Sequence, residues 1–150
     1  MELLSRIADA QKEAMKARDT ARLSTVRMIL AAVKDKEIAL RTSGQEMSES
    51  EVLALLGKMV KQRQESAKVY VDGGRQELAD KELAEVGVIE TFLPKALLPA
   101  EVDAAIGMAI AEVGATSLRD MGKVMGALKA KYTGQMDFGA VGAVLKSRLG

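Results

Sequence analysis

Both prolines of the chain fall inside one seven-residue stretch, Leu93-Pro94-Lys95-Ala96-Leu97-Leu98-Pro99. Proline inside a helix removes a backbone donor and clashes with the preceding turn. Everywhere else, then, helices are free to run without interruption. Pro94 biases Leu93 away from helical geometry, whereas Pro99 suits the first turn of a following helix. The stretch therefore predicts a boundary, with a long-helix domain over 1–93 and a compact three-helix domain over 99–150.

The rest of the pattern is helical on both sides. Ala, Leu, Met, Lys, Arg and Glu dominate, aromatic residues are only 3%, and no run alternates with the period of two that a strand needs. The chain is predicted to be all-α. A first helix over 2–17 carries Leu3, Leu4, Ile7 and Ala14 as its apolar stripe. Asp19 caps a second, whose Leu23, Val26, Ile29, Leu30 and Val33 recur at the i, i+3, i+4, i+7 spacing of a buried face. It ends near Thr42-Ser43-Gly44. Ser48 with Glu51 forms a capping box for a third helix, which runs to Val71 and stops at Gly73-Gly74. A fourth, from about Arg75 to Phe92, is expected to bury Leu78, Leu83, Val86, Ile89 and Leu93. Beyond the prolines, helices are predicted over 99–113, 118–131 and 138–149. Their apolar stripes are Val102, Ile106, Ala109, Ile110 and Val113; Leu118, Met121, Val124, Met125 and Leu128; and Phe138, Val141, Leu145 and Leu149.

What the chain lacks excludes much chemistry. It has no Cys and no His, which removes thiolate zinc sites, cysteine nucleophiles, iron–sulfur clusters, the Ser-His-Asp triad and the commonest metal ligand. Glu77, Asp80, Glu82 and Glu85 pair up on helical faces, but di-metal bundles draw on Glu-x-x-His motifs, so these acids read as a solvated or ion-paired face. Lys58, Lys61, Glu65 and Lys68 likewise read as a surface. Neither nucleotide-binding glycine motif occurs, and the four aromatic residues form no stacking platform. No catalytic residue, metal or cofactor is predicted. There is no secretory signal and no run long enough to span a membrane, so a cytoplasmic protein without a membrane partner is expected.

The near-neutral total of +1 hides a polarity: residues 76–90 carry a net −4 and residues 115–150 a net +4. Within the basic segment, Leu118, Met121, Val124, Met125 and Leu128 cluster on one side of a wheel drawn at about 100° per residue. Gly122 and Gly126 fall outside that stripe, among Arg119, Lys123 and Lys129, with Lys131 following. Each glycine costs a helix about 1 kcal/mol relative to alanine. They make a smooth strip where another backbone can come close. Two occupants fit: a crossing helix that needs small residues, or an RNA sugar–phosphate backbone with the cations as phosphate contacts.

Several segments together resemble the GatB/YqeY family. They are Lys61-Gln62-Arg63 with Glu65-Ser66, Gly74-Arg75-Gln76-Glu77-Leu78-Ala79, the Glu82…Glu85 spacing and Phe92-Leu93-Pro94. The most distinctive is Asp120-Met121-Gly122-Lys123-Val124-Met125-Gly126. The resemblance covers essentially the whole chain. It implies an all-α fold whose C-terminal domain is similar to the tail of the GatB subunit of glutamine-dependent aspartyl/glutamyl-tRNA amidotransferase, a tail that grips the outer corner of tRNA. A similar module occurs at the N-terminus of some glutaminyl-tRNA synthetases. The implied RNA-binding residues are Arg119, Gly122, Lys123, Gly126, Lys129 and Lys131. Two positions depart from the pattern: Gln135 stands where the family tends to be basic, and Gly87 interrupts the fourth helix.

The expected function is that of a non-catalytic tRNA-binding or tRNA-enzyme accessory protein. The alternative is a protein-interaction module that docks an amidotransferase or an aminoacyl-tRNA synthetase. Relatives of this kind belong to carbon–nitrogen ligases that use glutamine as amido donor. This chain offers no cysteine for glutamine hydrolysis and no phosphate loop for such a reaction.

Overall fold

A computed structural model describes all 150 residues and contains seven α-helices and no strand. The order is α1 (Glu2–Ala17), α2 (Thr20–Thr42), α3 (Glu49–Asp72), α4 (Gln76–Glu90), α5 (Pro99–Val113), a 3-10 turn (Leu118–Asp120), α6 (Met121–Tyr132) and α7 (Phe138–Leu149). The chain is all-α, with its helix boundaries close to the capping and breaking signals in the sequence. Two compact units are formed, Met1–Leu93 and Pro94–Gly150.

In the first unit the helix ends follow from short polar side chains and glycine. The Asp19 carboxylate accepts the Arg22 amide at 3.1 Å, and Ser48 Oγ accepts the Glu51 amide at 3.2 Å. Each satisfies a donor that the first turn of a helix leaves unpaired. After α3 the chain reverses at Gly74, which takes φ +74°, and α3 then packs extensively along α4. One core joins all four helices: Leu3 and Ile7 of α1, Val26, Ile29 and Val33 of α2, Val52, Leu56 and Met59 of α3, and Ile89 of α4. Phe92, just beyond α4, completes it.

The fourth helix keeps the expected register except at one position: Val86 and Ile89 are buried and Leu78 and Leu93 half-buried, whereas Leu83 lies 47% exposed and Ala79 is buried as well. Glu85 points inward, where its carboxylate accepts the Arg63 guanidinium at 3.0 Å with both side chains less than one-fifth exposed. Arg63 also donates to the Met59 carbonyl at 3.2 Å and reaches the Met28 sulfur at 3.7 Å. This largely buried ion pair joins α3 to α4. Two of the other four acids of α4 are used locally: Glu77 pairs with Arg75 at 2.9 Å, and Asp80 accepts from Gln76 at 2.8 Å. The Arg75 guanidinium holds the Glu77 carboxyl below the usual carboxylate range.

In the second unit, Pro99 opens α5, and the Glu101 side chain accepts the Leu98 amide at 2.9 Å. Asp137 caps α7 by accepting the Gly139 amide at 2.9 Å. Ala105, Ile106 and Ala109 of α5, Val124 and Leu128 of α6, and Val141 and Leu145 of α7 make a core of this unit's own. The helix expected over 118–131 starts later. The Asp120 carboxylate accepts the Thr116 and Ser117 amides at 2.9 and 3.3 Å. That closure tightens residues 118–120 into a 3-10 turn and leaves Leu118 48% exposed.

Candidate nucleic-acid interface

Helix α6 turns Val124 and Leu128 into the core and leaves Gly122, Lys123, Gly126 and Lys129 in solvent. A Cβ added at Gly122 or at Gly126 would meet nothing within 4 Å. Neither glycine therefore serves a helix crossing within the C-terminal unit. The small residue between α6 and α7 is Gly142 instead, where an added Cβ would touch the terminal methyls of Met125 and Met121 at 3.5 and 3.6 Å. The two open glycines lie four residues apart, about 6 Å along the helix axis, and form a shallow strip bare of side chains.

The cations expected around the strip divide. Lys123 and Lys129 flank it on the same helix, and both are exposed. Lys129 Nζ lies 5.9 Å from the centre of the Phe138 ring, a cation–π distance that steadies the lysine beside the strip. Arg119 is also exposed, but it sits in the 3-10 turn and so leaves the helical register assumed for it. Lys131 is drawn elsewhere, with its Nζ 3.7 Å from Glu112 of α5. At about 100° per residue it stands about 140–180° around the helix from the two glycines. Arg148 of α7 pairs with Asp103 of α5. The structure thus brings together Gly122, Lys123, Gly126 and Lys129, keeps Arg119 at the entry of the helix, and separates Lys131.

Neither Lys123 nor Arg119 has an ion-pair partner within 4 Å. Lys123 does lie in the field of Asp120, whose carboxyl is held below the usual range first by the Thr116 and Ser117 amides and then by this lysine. A chain of fixed groups follows: backbone amides hold Asp120 ionised, Asp120 closes the turn, and the turn starts α6 at Met121. Gln135, the position that departs from the family's basic preference, has a structural role. Its carbonyl accepts the Leu97 amide at 2.9 Å, and its side chain donates to the Lys95 carbonyl at 3.1 Å. This ties the segment before α5 to the turn between α6 and α7. The sequence held no signal for that bond, which joins residues 40 apart.

No group of three or more His, Cys, Asp or Glu side chains comes together that could hold a metal. No helix is long and apolar enough to cross a membrane. The arrangement on α6 offers close approach and positive charge, the two properties that a phosphate backbone uses.

The sequence model of the family described as Yqey-like protein matches residues 4–149. Among curated proteins, the chain is similar to "Altered inheritance of mitochondria protein 41, mitochondrial" from several yeasts. It is 31% identical to the Lachancea thermotolerans protein over 106 residues, covering 68% of this chain and 54% of that protein. For the Vanderwaltozyma polyspora protein the figures are 32% over 94 residues, 61% and 50%. For a Saccharomyces cerevisiae protein they are 30% over 92 residues, 61% and 49%. The chain spans about half the length of these relatives. Their names correct the cytoplasmic expectation, because the matched relatives are named as mitochondrial proteins. The absence of cysteine does not distinguish one reducing compartment from another.

Proposed function

The chain belongs to the YqeY-like family, and on that premise we propose that its C-terminal unit is a non-catalytic binding surface for tRNA. The observation that carries the reading is the open strip of Gly122 and Gly126 between exposed Lys123 and Lys129. A duplex backbone can lie against bare helix there, with the lysines contacting phosphates on either side and Arg119 at the entry. Such contacts recognise shape and charge rather than base sequence. Lys131, paired with Glu112, contributes less than the other cations. In this reading the protein acts as an accessory to a tRNA enzyme and supplies grip, and the partner supplies chemistry.

The test is a titration of labelled total tRNA by fluorescence anisotropy, with the wild type and Lys123→Glu, between 50 and 200 mM salt. Each phosphate contact contributes about 0.9 to the slope of log affinity against log salt, so one lost contact weakens binding about eightfold at 0.1 M. Lys123→Glu is expected to bind at least that much more weakly, with a shallower slope. Equal binding by both proteins, or none by either, rejects the surface. Retention of an amidotransferase or a synthetase from nuclease-treated lysate, with no tRNA binding, selects the protein-docking alternative.

A further inference from the structure

The N-terminal unit carries a second basic surface that the α6 reading leaves unused. Residues 12–34 hold a net +4, the same excess as residues 115–150 in a shorter length of chain. Thr20, Ser24, Arg27, Ala31 and Lys34 follow one another at three- and four-residue steps, which places them along one outward line of α2. All five are exposed, and neither Arg27 nor Lys34 has an ion-pair partner. Asp19 is engaged by the Arg22 amide as the helix cap, and Glu37, one turn beyond Lys34, is paired with Arg41, which leaves Asp35 as the exposed acid beside Lys34.

Two further observations mark this surface. A shallow, open depression of about 430 Å³ lies on α2, lined by Thr20, Leu23, Ser24, Arg27, Met28 and Ala31. Its rim holds two hydroxyls without a partner in the protein and one guanidinium, over a floor of half-buried Leu23 and Met28. The second lies in the backbone. Arg18, at the turn from α1 into α2, takes φ 56° and is the one non-glycine residue of the chain with positive φ. Four other turns place glycine in that conformation, at Gly44, Gly74, Gly114 and Gly134. An L side chain is strained there. Arginine in place of glycine gives up stability and places an unpaired, exposed guanidinium two residues before Thr20.

We infer that the α1–α2 turn and the outward face of α2 form a second binding surface for the phosphodiester backbone of RNA, centred on Arg18, Arg27 and Lys34. The inference rests on the RNA reading above. The cations and the Thr20 and Ser24 hydroxyls take the phosphate, and the apolar floor takes the face of a ribose. The small side chains of Ser24 and Ala31 let the strand lie close to the helix. Each unit of the chain then offers one helix face to RNA.

The test uses the full-length chain and labelled total tRNA across 50–200 mM salt, comparing the wild type, Arg18→Gly, Arg27→Glu/Lys34→Glu and Lys123→Glu. Arg18→Gly is expected to melt at the same or a higher temperature while binding about eightfold more weakly at 0.1 M salt, with the salt slope reduced by about one. The double reversal should weaken binding about sixtyfold and reduce the slope by about two. The charge-conserving Arg27→Lys/Lys34→Arg should restore affinity, which separates charge from misfolding. If the α2 and Arg18 variants bind like the wild type while Lys123→Glu does not, the second surface is rejected and the α6 reading stands. If the wild type binds no tRNA, both fall. Sedimentation with phosphatidylserine vesicles in that case, lost in the α2 double variant, would assign the face to a membrane instead.

Discussion

Replacing Gly122 and Gly126 together by alanine sets stability against binding, and the structure fixes the sign of each. Both glycines face open space, so an added methyl meets nothing within 4 Å and incurs no packing penalty. The gain is one of helix propensity. Gly126 is interior to α6, where the exchange stabilises by about 1 kcal/mol. Gly122 is the second residue of the helix, where the constraint is weaker and about half that gain is expected. The pair should therefore stabilise the protein by about 1.5 kcal/mol. For a chain of this length 1 kcal/mol moves the melting temperature by about 2–4 °C, so the double variant should melt about 3–6 °C higher, followed by circular dichroism at 222 nm. The same two methyls fill the strip against which the RNA backbone is proposed to lie. Displacing one phosphate contact costs about eightfold in affinity at 0.1 M salt, readable by anisotropy with labelled tRNA. A variant that gains stability and binds tRNA as the wild type does would falsify the close-approach role of the glycines. One that fails to gain stability contradicts the open geometry itself.

Two other outcomes follow from the ion pair and from the turn. Glu85→Ala leaves the Arg63 guanidinium half-buried without its carboxylate. Breaking a fully buried pair costs about 3–5 kcal/mol, but Arg63 keeps some solvent and its bond to Met59, so a loss of about 1–2 kcal/mol is expected in the urea midpoint. Arg63→Met/Glu85→Leu should recover most of it, and an unchanged midpoint for Glu85→Ala refutes the structural role of the pair. Asp120 provides the pH test. Its carboxyl is held below the usual range by the Thr116 and Ser117 amides, so its contribution is present above the ordinary aspartate value. That contribution is lost as pH falls through the lowered one. The amide resonances of Thr116 and Ser117 should stay fixed from neutral pH to about pH 4 and move only below it. Movement near pH 5 or above contradicts the turn geometry.

The parts of this fold that were legible in the sequence are those written locally. Asp19, Ser48 and Asp137 cap helices because a short polar side chain before an apolar run can reach back to free amides. The prolines and Gly74 likewise act within a turn. What could not be read depends on distant partners. Leu83 belongs on an apolar stripe by periodicity alone. It is nonetheless 47% exposed, while Glu85 on another face of the same helix is held by Arg63, 22 residues upstream. Arg119 was placed on a helix wheel, whereas Asp120 closes the turn beneath it. Lys131 looked equivalent to Lys129 until Glu112 of another helix drew it aside. For the candidate site the glycines and Lys123 were readable as residues. Whether the glycines serve a crossing or a surface was decided only by the empty space around them.

The chain's two charge signs are used differently. Of the acids on α4, Glu85 is committed to Arg63, Glu77 to Arg75 and Asp80 to Gln76. Asp19, Asp120 and Asp137 are committed to backbone amides at helix starts. Among the cations, Arg41, Arg63, Arg75, Lys131 and Arg148 are paired within the chain, while Arg18, Arg27, Lys34, Arg119 and Lys123 stand exposed without an ion pair. A total of +1 thus understates the charge offered locally to a partner, because residues 12–34 and 115–150 each hold a net +4. Exposed cations left without partners on a near-neutral protein are better matched to a polyanion than to another neutral surface, since releasing the polyanion's condensed counterions drives such binding. This argument favours RNA over a generic protein partner for both basic faces. It also predicts that the two faces share one signature, an affinity that falls steeply with salt and depends little on base sequence.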